Sequence, residues 1–151
     1  MLWPDLNLII GWVIGWLLAE ADHLVYAVMC NPQELTCQRV RAEMDKKNWR
    51  NAWKMLEDSK FERNKLPIRN VLTLISMTGV GIWVVSSSGS LLASGLVFGF
   101  CVRLFSELIF DTDYKKWYWI FAREFSLPEH KGFLGAIASG IILQWWYLIR
   151  G

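Results

Sequence analysis

Four stretches of the chain are apolar almost throughout, and two charged stretches separate them. Residues 6–30 form the first, interrupted by Glu20, Asp22 and His23. Residues 68–86 form the second, with no charge after Arg69. Residues 91–110 form the third and carry Arg103 and Glu107; residues 132–149 form the fourth and carry no charge. A helix crossing a bilayer needs roughly 17 to 25 such residues. A helix of a water-soluble bundle would show a polar stripe every 3.6 residues, and the second and fourth runs show none. The pattern predicts an all-α fold, a polytopic membrane protein of four transmembrane helices with cytoplasmic amphipathic helices. It forms one membrane domain over residues 1–151, with loops at 31–67 and 111–131.

The basic residues orient these spans. Thirteen of the sixteen lie in the two loops: Arg39, Arg41, Lys46, Lys47, Arg50, Lys54, Lys60, Arg63 and Lys65 in the first, and Lys115, Lys116, Arg123 and Lys131 in the second. The connection over residues 86–90 has none. Four spans put both loops on one side, and the positive-inside rule makes that side the cytoplasm. The predicted location is the inner (plasma) membrane, multi-pass, with both termini outside. Trp3, Trp83, Trp145, Trp146 and Tyr147 would then form an outer aromatic belt, and Trp117, Tyr118 and Trp119 an inner one. The sequence lacks the basic start and small-residue cleavage site of a signal peptide.

The first loop has helical periodicity of its own. Cys37, Val40 and Met44 are spaced for one helix face, and Trp49, Ala52, Trp53 and Leu56 for another. Asn48 between them is a candidate cap. These two short amphipathic helices would rest on the membrane, pack on the bundle or dock a partner. Residues 117–121 predict an interfacial helix in the second loop. Gly11/Gly15/Ala19, Gly95/Gly99 and Gly132/Ala136/Gly140 recur four apart, a spacing that lets helix backbones approach closely, within one bundle or in a homo-oligomer.

Composition agrees with this partition. The chain is 54% hydrophobic and 15% aromatic, with ten tryptophans, which excludes disorder. A net charge of +2 gives no footprint for nucleic acid. Three cysteines make no disulfide scaffold, and Cys30 and Cys37 at a cytoplasmic face are expected as reduced thiols. Cys101 reads as packing and His130 as a solvated side chain.

The candidate chemistry lies where charge enters the spans. Glu20, Asp22 and His23 in the first, Arg69 and Asn70 opening the second, and Arg103, Ser106 and Glu107 in the third fall at one depth, with Asp111 just beyond. Charges in a membrane generally pair, line water or do chemistry. Glu20 and His23 share a helix face, and Arg103 and Glu107 are spaced to pair. One reading is a structural or lipid-binding charge network of Arg69, Arg103, Glu20 and Glu107, with the arginines on an anionic head group. A second is a hydrolytic centre with Asp22, His23, Glu107 and Asp111 as ligands of a divalent metal and Glu20, His23 and Glu107 as catalytic candidates. A third makes the chain an accessory subunit docked on a membrane-protein partner. Binding or assembly without a cofactor is the leading expectation.

Ala21-Asp22-His23-Leu24, Leu66-Pro67-Ile68-Arg69-Asn70 and the third-span stretches Gly95-Leu96-Val97-Phe98-Gly99 and Leu108-Ile109-Phe110-Asp111 resemble uncharacterised four-span membrane proteins of candidate-phyla bacteria. These are in turn distantly similar to the YdjM-type inner-membrane metal-dependent hydrolases. That family carries a His-Arg-x-x-Thr-His arrangement at the start of a span and a further histidine before a span-ending aspartate. Here Arg69-Asn70 and Arg103 stand in those places, and only Asp111 matches the aspartate. The resemblance implies a helical membrane fold whose metal has been lost.

Overall fold

A computed structural model describes residues 3–22, 25, 33, 35–58 and 68–150. The fold is all-α, and no strand occurs among the described residues. The helices are α1 (Trp3–Glu20), α2 (Leu35–Asp45), α3 (Trp49–Asp58), α4 (Val71–Ser87), α5 (Leu91–Phe110) and α6 (Leu127–Arg150), with a short 3-10 helix at Tyr114–Tyr118. The chain divides into two compact units, one of residues 1–19 with 68–151 and the other of residues 20–67.

The larger unit contains the helices drawn from the four apolar runs. Two of them, α5 and α6, are long and apolar enough to cross a membrane; the apolar stretches in α1 and α4 are shorter. Local chemistry sets the ends. The Asn70 side chain accepts from the Thr73 N–H at 2.7 Å and caps α4. Ser90 caps α5 in the same way through the Ala93 N–H. At α6, Glu129 reaches back to the residue before the helix, its carboxylate accepting from both the backbone N–H and the hydroxyl of Ser126, which is one half of a capping box. The core joins Ala19, Val71, Leu74, Phe100, Leu104, Leu108 and Ile137 with two residues of the 3-10 helix, Trp117 and Tyr118.

That last pair corrects the predicted inner aromatic belt. Trp117 and Tyr118 are buried in the core and only Trp119 faces outward, because a 3-10 turn replaces the expected helix and folds the first two rings inward. The small residues behave as their spacing predicts on α1 and α5. Gly11 and Gly15 lie against the backbone carbonyls of Leu92 and Leu96, and Gly95 and Gly99 against those of Leu8 and Trp12. On α6 the stripe is used only in part, since Gly140 meets the Thr78 side chain while Gly132 faces open space.

The smaller unit is a helical hairpin. Cys37 and Val40 of α2 pack on Ala52 and Leu56 of α3, with Met44 at the edge. A Schellman turn ends α2: the Asn48 N–H reaches the Glu43 carbonyl and the Lys47 N–H the Met44 carbonyl, with Lys47 left-handed at φ 56°. The Asn48 carbonyl accepts from the Ala52 N–H to open α3, while its side-chain amide donates back to Glu43. Cys37 is disulfide-bonded, which corrects the thiol expected from the basic residues around it, since a bond between sulfurs depends on which side chains the fold brings together and not on local charge. The end of the predicted first span, including His23 and Cys30, lies outside the described residues.

Candidate functional site

The polar groups of the larger unit meet at Glu107. Arg69 sits in the bend before α4, and its guanidinium takes both oxygens of Glu107, Nε at 2.7 Å from Oε2 and an Nη donating to Oε1 at 3.0 Å. The planar guanidinium thus meets one carboxylate at both oxygens, through one hydrogen bond and one close ion-pair contact. Arg103, one turn earlier on α5, reaches Oε1 at 2.9 Å. The Arg103 guanidinium also lies 4.9 Å from the centre of the Trp16 ring on α1, a cation–π contact. One carboxylate therefore ties the α4 approach to α5, and Arg103 carries the tie to α1. All three side chains are mostly buried, Arg69 to 6% exposure.

Asp111, the other acidic candidate on this unit, serves the turn after α5. One of its oxygens accepts from the Trp117 indole N–H at 3.0 Å, the other from the Asp113 N–H at 3.1 Å. Glu20 and Asp22 belong to the smaller unit, Glu20 half-buried and Asp22 fully buried, and each has a polar partner. His23 lies outside the described residues.

The donor set around Glu107 does not fit a divalent cation. Its two oxygens already face two fixed guanidinium charges, which repel a metal and occupy the lone pairs it would need. Among the described residues, no three His, Cys, Asp or Glu side chains gather as a metal site requires. The head-group reading meets the same geometry, since both arginines point at Glu107.

No known protein family, characterised protein or solved structure matches the chain.

Two polar clusters escape the sequence pattern. His130, expected to be solvated, is buried on α6, because the 3-10 helix folds over it. Its Nδ1 shares a 2.9 Å hydrogen bond with the Tyr118 hydroxyl, and the Tyr114 ring stacks on it at 4.5 Å. Phe125 and Phe133 complete the aromatic wall around Tyr118. The only sequence signal was the density of aromatic residues at 114–133. The second cluster lies between α4, α5 and α6: Gln144 is fully buried, donates to the Thr78 carbonyl at 3.0 Å and lies in hydrogen-bonding reach of the Cys101 thiol. One glutamine in an uncharged run gave no periodic signal of its own.

Burial, reinforced by the electrostatic influence of neighbouring Tyr114 and Glu129, pushes the Tyr118 phenol from its ordinary 10.0 up to about 12. Between those values the unfolded chain releases this proton and the folded chain keeps it. The stability from this group is therefore fully present below that window, where it adds no pH dependence, and is lost as pH climbs through it. Tyr118→Phe should abolish that dependence and cost about 1 kcal/mol at neutral pH through the lost hydrogen bond. Unfolding in mixed micelles across the alkaline range measures both effects.

Proposed function

We propose that the chain is a multi-pass inner-membrane protein that works by binding and assembly, with the Arg69–Glu107–Arg103 cluster locking its helices together. The observation that carries the reading is the engagement of Glu107 by two arginines, which uses the candidate catalytic carboxylate as a structural tie. A distant relationship to the YdjM-type hydrolases would then be one of fold, with arginine where imidazole ligands stood. Elemental analysis of the purified chain tests this: substoichiometric zinc, manganese and iron is expected, and one ion per chain would overturn it.

Membrane insertion is supported by the surface of the helices. Little of the apolar window of α6 is buried, and Ile142 and Ile149 are about two-thirds accessible, whereas a soluble core helix would bury such a face. Helices α1 and α4, at 18 and 17 residues, reach the lower end of the spanning range and complete a four-span reading. In that reading the basic loops face the cytoplasm and both termini lie outside. The Cys37 disulfide pulls residues 31–67 the other way, because lasting disulfides belong to oxidising compartments. Alkaline phosphatase fused after Arg150 decides between them. An active enzyme is expected; an inactive one, with a fluorescent protein glowing at the same position, would invert the topology.

A further inference from the structure

The hairpin of α2 and α3 carries a face that its own core does not use. Ala52 and Leu56 turn inward on Cys37 and Val40. Trp49 and Trp53, one turn apart on the adjoining flank of α3, stay 63% and 46% exposed. At ~100° per residue, Arg50 and Lys54 follow on the next flank, again one turn apart. Both are exposed, and neither has an ion-pair partner among the described residues. A short helix thus presents two indoles beside two open cations, with Ala52 and Leu56 committed to the hairpin and Met55 exposed on its far flank.

Two facts select the occupant of this face. The segment over residues 31–67 has nine basic against six acidic side chains, so it favours an anionic surface. Chain connectivity leads from it into apolar helices on both sides, α1 before and α4 after, which keeps it beside whatever phase those helices enter. Indole rings settle at the boundary between head groups and acyl chains, where one edge is wet and the other apolar. We propose that α3 lies on the bilayer surface, with Trp49 and Trp53 at that boundary and Arg50 and Lys54 on the phosphates of anionic phospholipid. The inference rests on the reading of α1 and α4 as membrane spans.

Hydrogen–deuterium exchange of the full chain in nanodiscs tests it, comparing phosphatidylcholine alone with a phosphatidylcholine–phosphatidylglycerol mixture. Each cation near an anionic surface is worth about fivefold, so amides of residues 49–58 should exchange about thirtyfold more slowly in the mixture. Arg50→Gln with Lys54→Gln should erase the difference between the two lipids. Trp49→Ser with Trp53→Ser should raise exchange in both. Unchanged protection of α5 in every variant shows that the fold is intact. Equal exchange in the two lipids, or protection that survives Arg50→Gln with Lys54→Gln, overturns the inference while leaving the membrane reading standing. Protection that appears only with two copies per disc makes the occupant a second chain and overturns it too. A chain that fails to enter nanodiscs defeats both readings.

Discussion

Glu107→Gln should destabilise the protein by about 3–5 kcal/mol, the largest effect expected of any single side-chain change in the larger unit. The substitution preserves shape and one acceptor but removes the carboxylate charge that faces the guanidiniums of Arg69 and Arg103. Both would remain mostly buried, where losing a facing counter-charge is costly. Arg103→Gln should cost less, because Arg103 is the more exposed of the two and Arg69 still holds both carboxylate oxygens. Reversible unfolding in mixed micelles gives the comparison. A Glu107→Gln loss below about 1 kcal/mol, within the range of a surface ion pair, would remove the lock from the account. A useful companion replaces Glu107, Arg69 and Arg103 together by leucine or methionine. If the cluster is a structural tie, the triple variant should be far milder than Glu107→Gln alone, since apolar packing can substitute for a buried charge network.

How far the sequence foretells this arrangement depends on the range of each interaction. The helices follow from apolar runs and from short-range caps: residues 91–110 were expected as one apolar segment, and α5 occupies Leu91–Phe110. The Arg103–Glu107 pair is an i, i+4 relation and is legible for the same reason. Arg69 joins Glu107 across 38 positions, and no local pattern specifies which of the nearby carboxylates it will choose. Tyr118 and His130 show the same blindness, because their burial depends on how a turn folds over α6. On α3, periodicity placed Trp49 and Trp53 with Ala52 and Leu56 correctly as to helix, but an apolar face can be wider than the core it serves. The two tryptophans are the excess. Asp111 resembled a ligand by position and proves to be a turn residue, held by an indole that had been assigned to a membrane belt.

The glycines of α1 and α5 give the second large prediction. Gly11 and Gly15 face carbonyls of α5 while Gly95 and Gly99 face carbonyls of α1, so the two backbones touch reciprocally. A methyl group at any of the four would overlap a carbonyl oxygen, and a backbone atom cannot swing aside as the end of a side chain can. Gly15→Ala and Gly99→Ala should each cost about 1–3 kcal/mol through forced separation of the helices. The loss would extend beyond the contact itself, since moving α1 also withdraws Trp16 from Arg103 and Ala19 from the core. Helix propensity works in the opposite direction, favouring alanine over glycine by about 1 kcal/mol within a helix. Gly79→Ala and Gly135→Ala isolate that term, because both glycines are helical and a methyl group at either meets nothing. These two variants should be neutral or more stable than wild type. The opposite signs distinguish close packing from a general intolerance of substitution: if all four alanines shift the unfolding midpoint alike, α1 does not dock on α5 through its glycines.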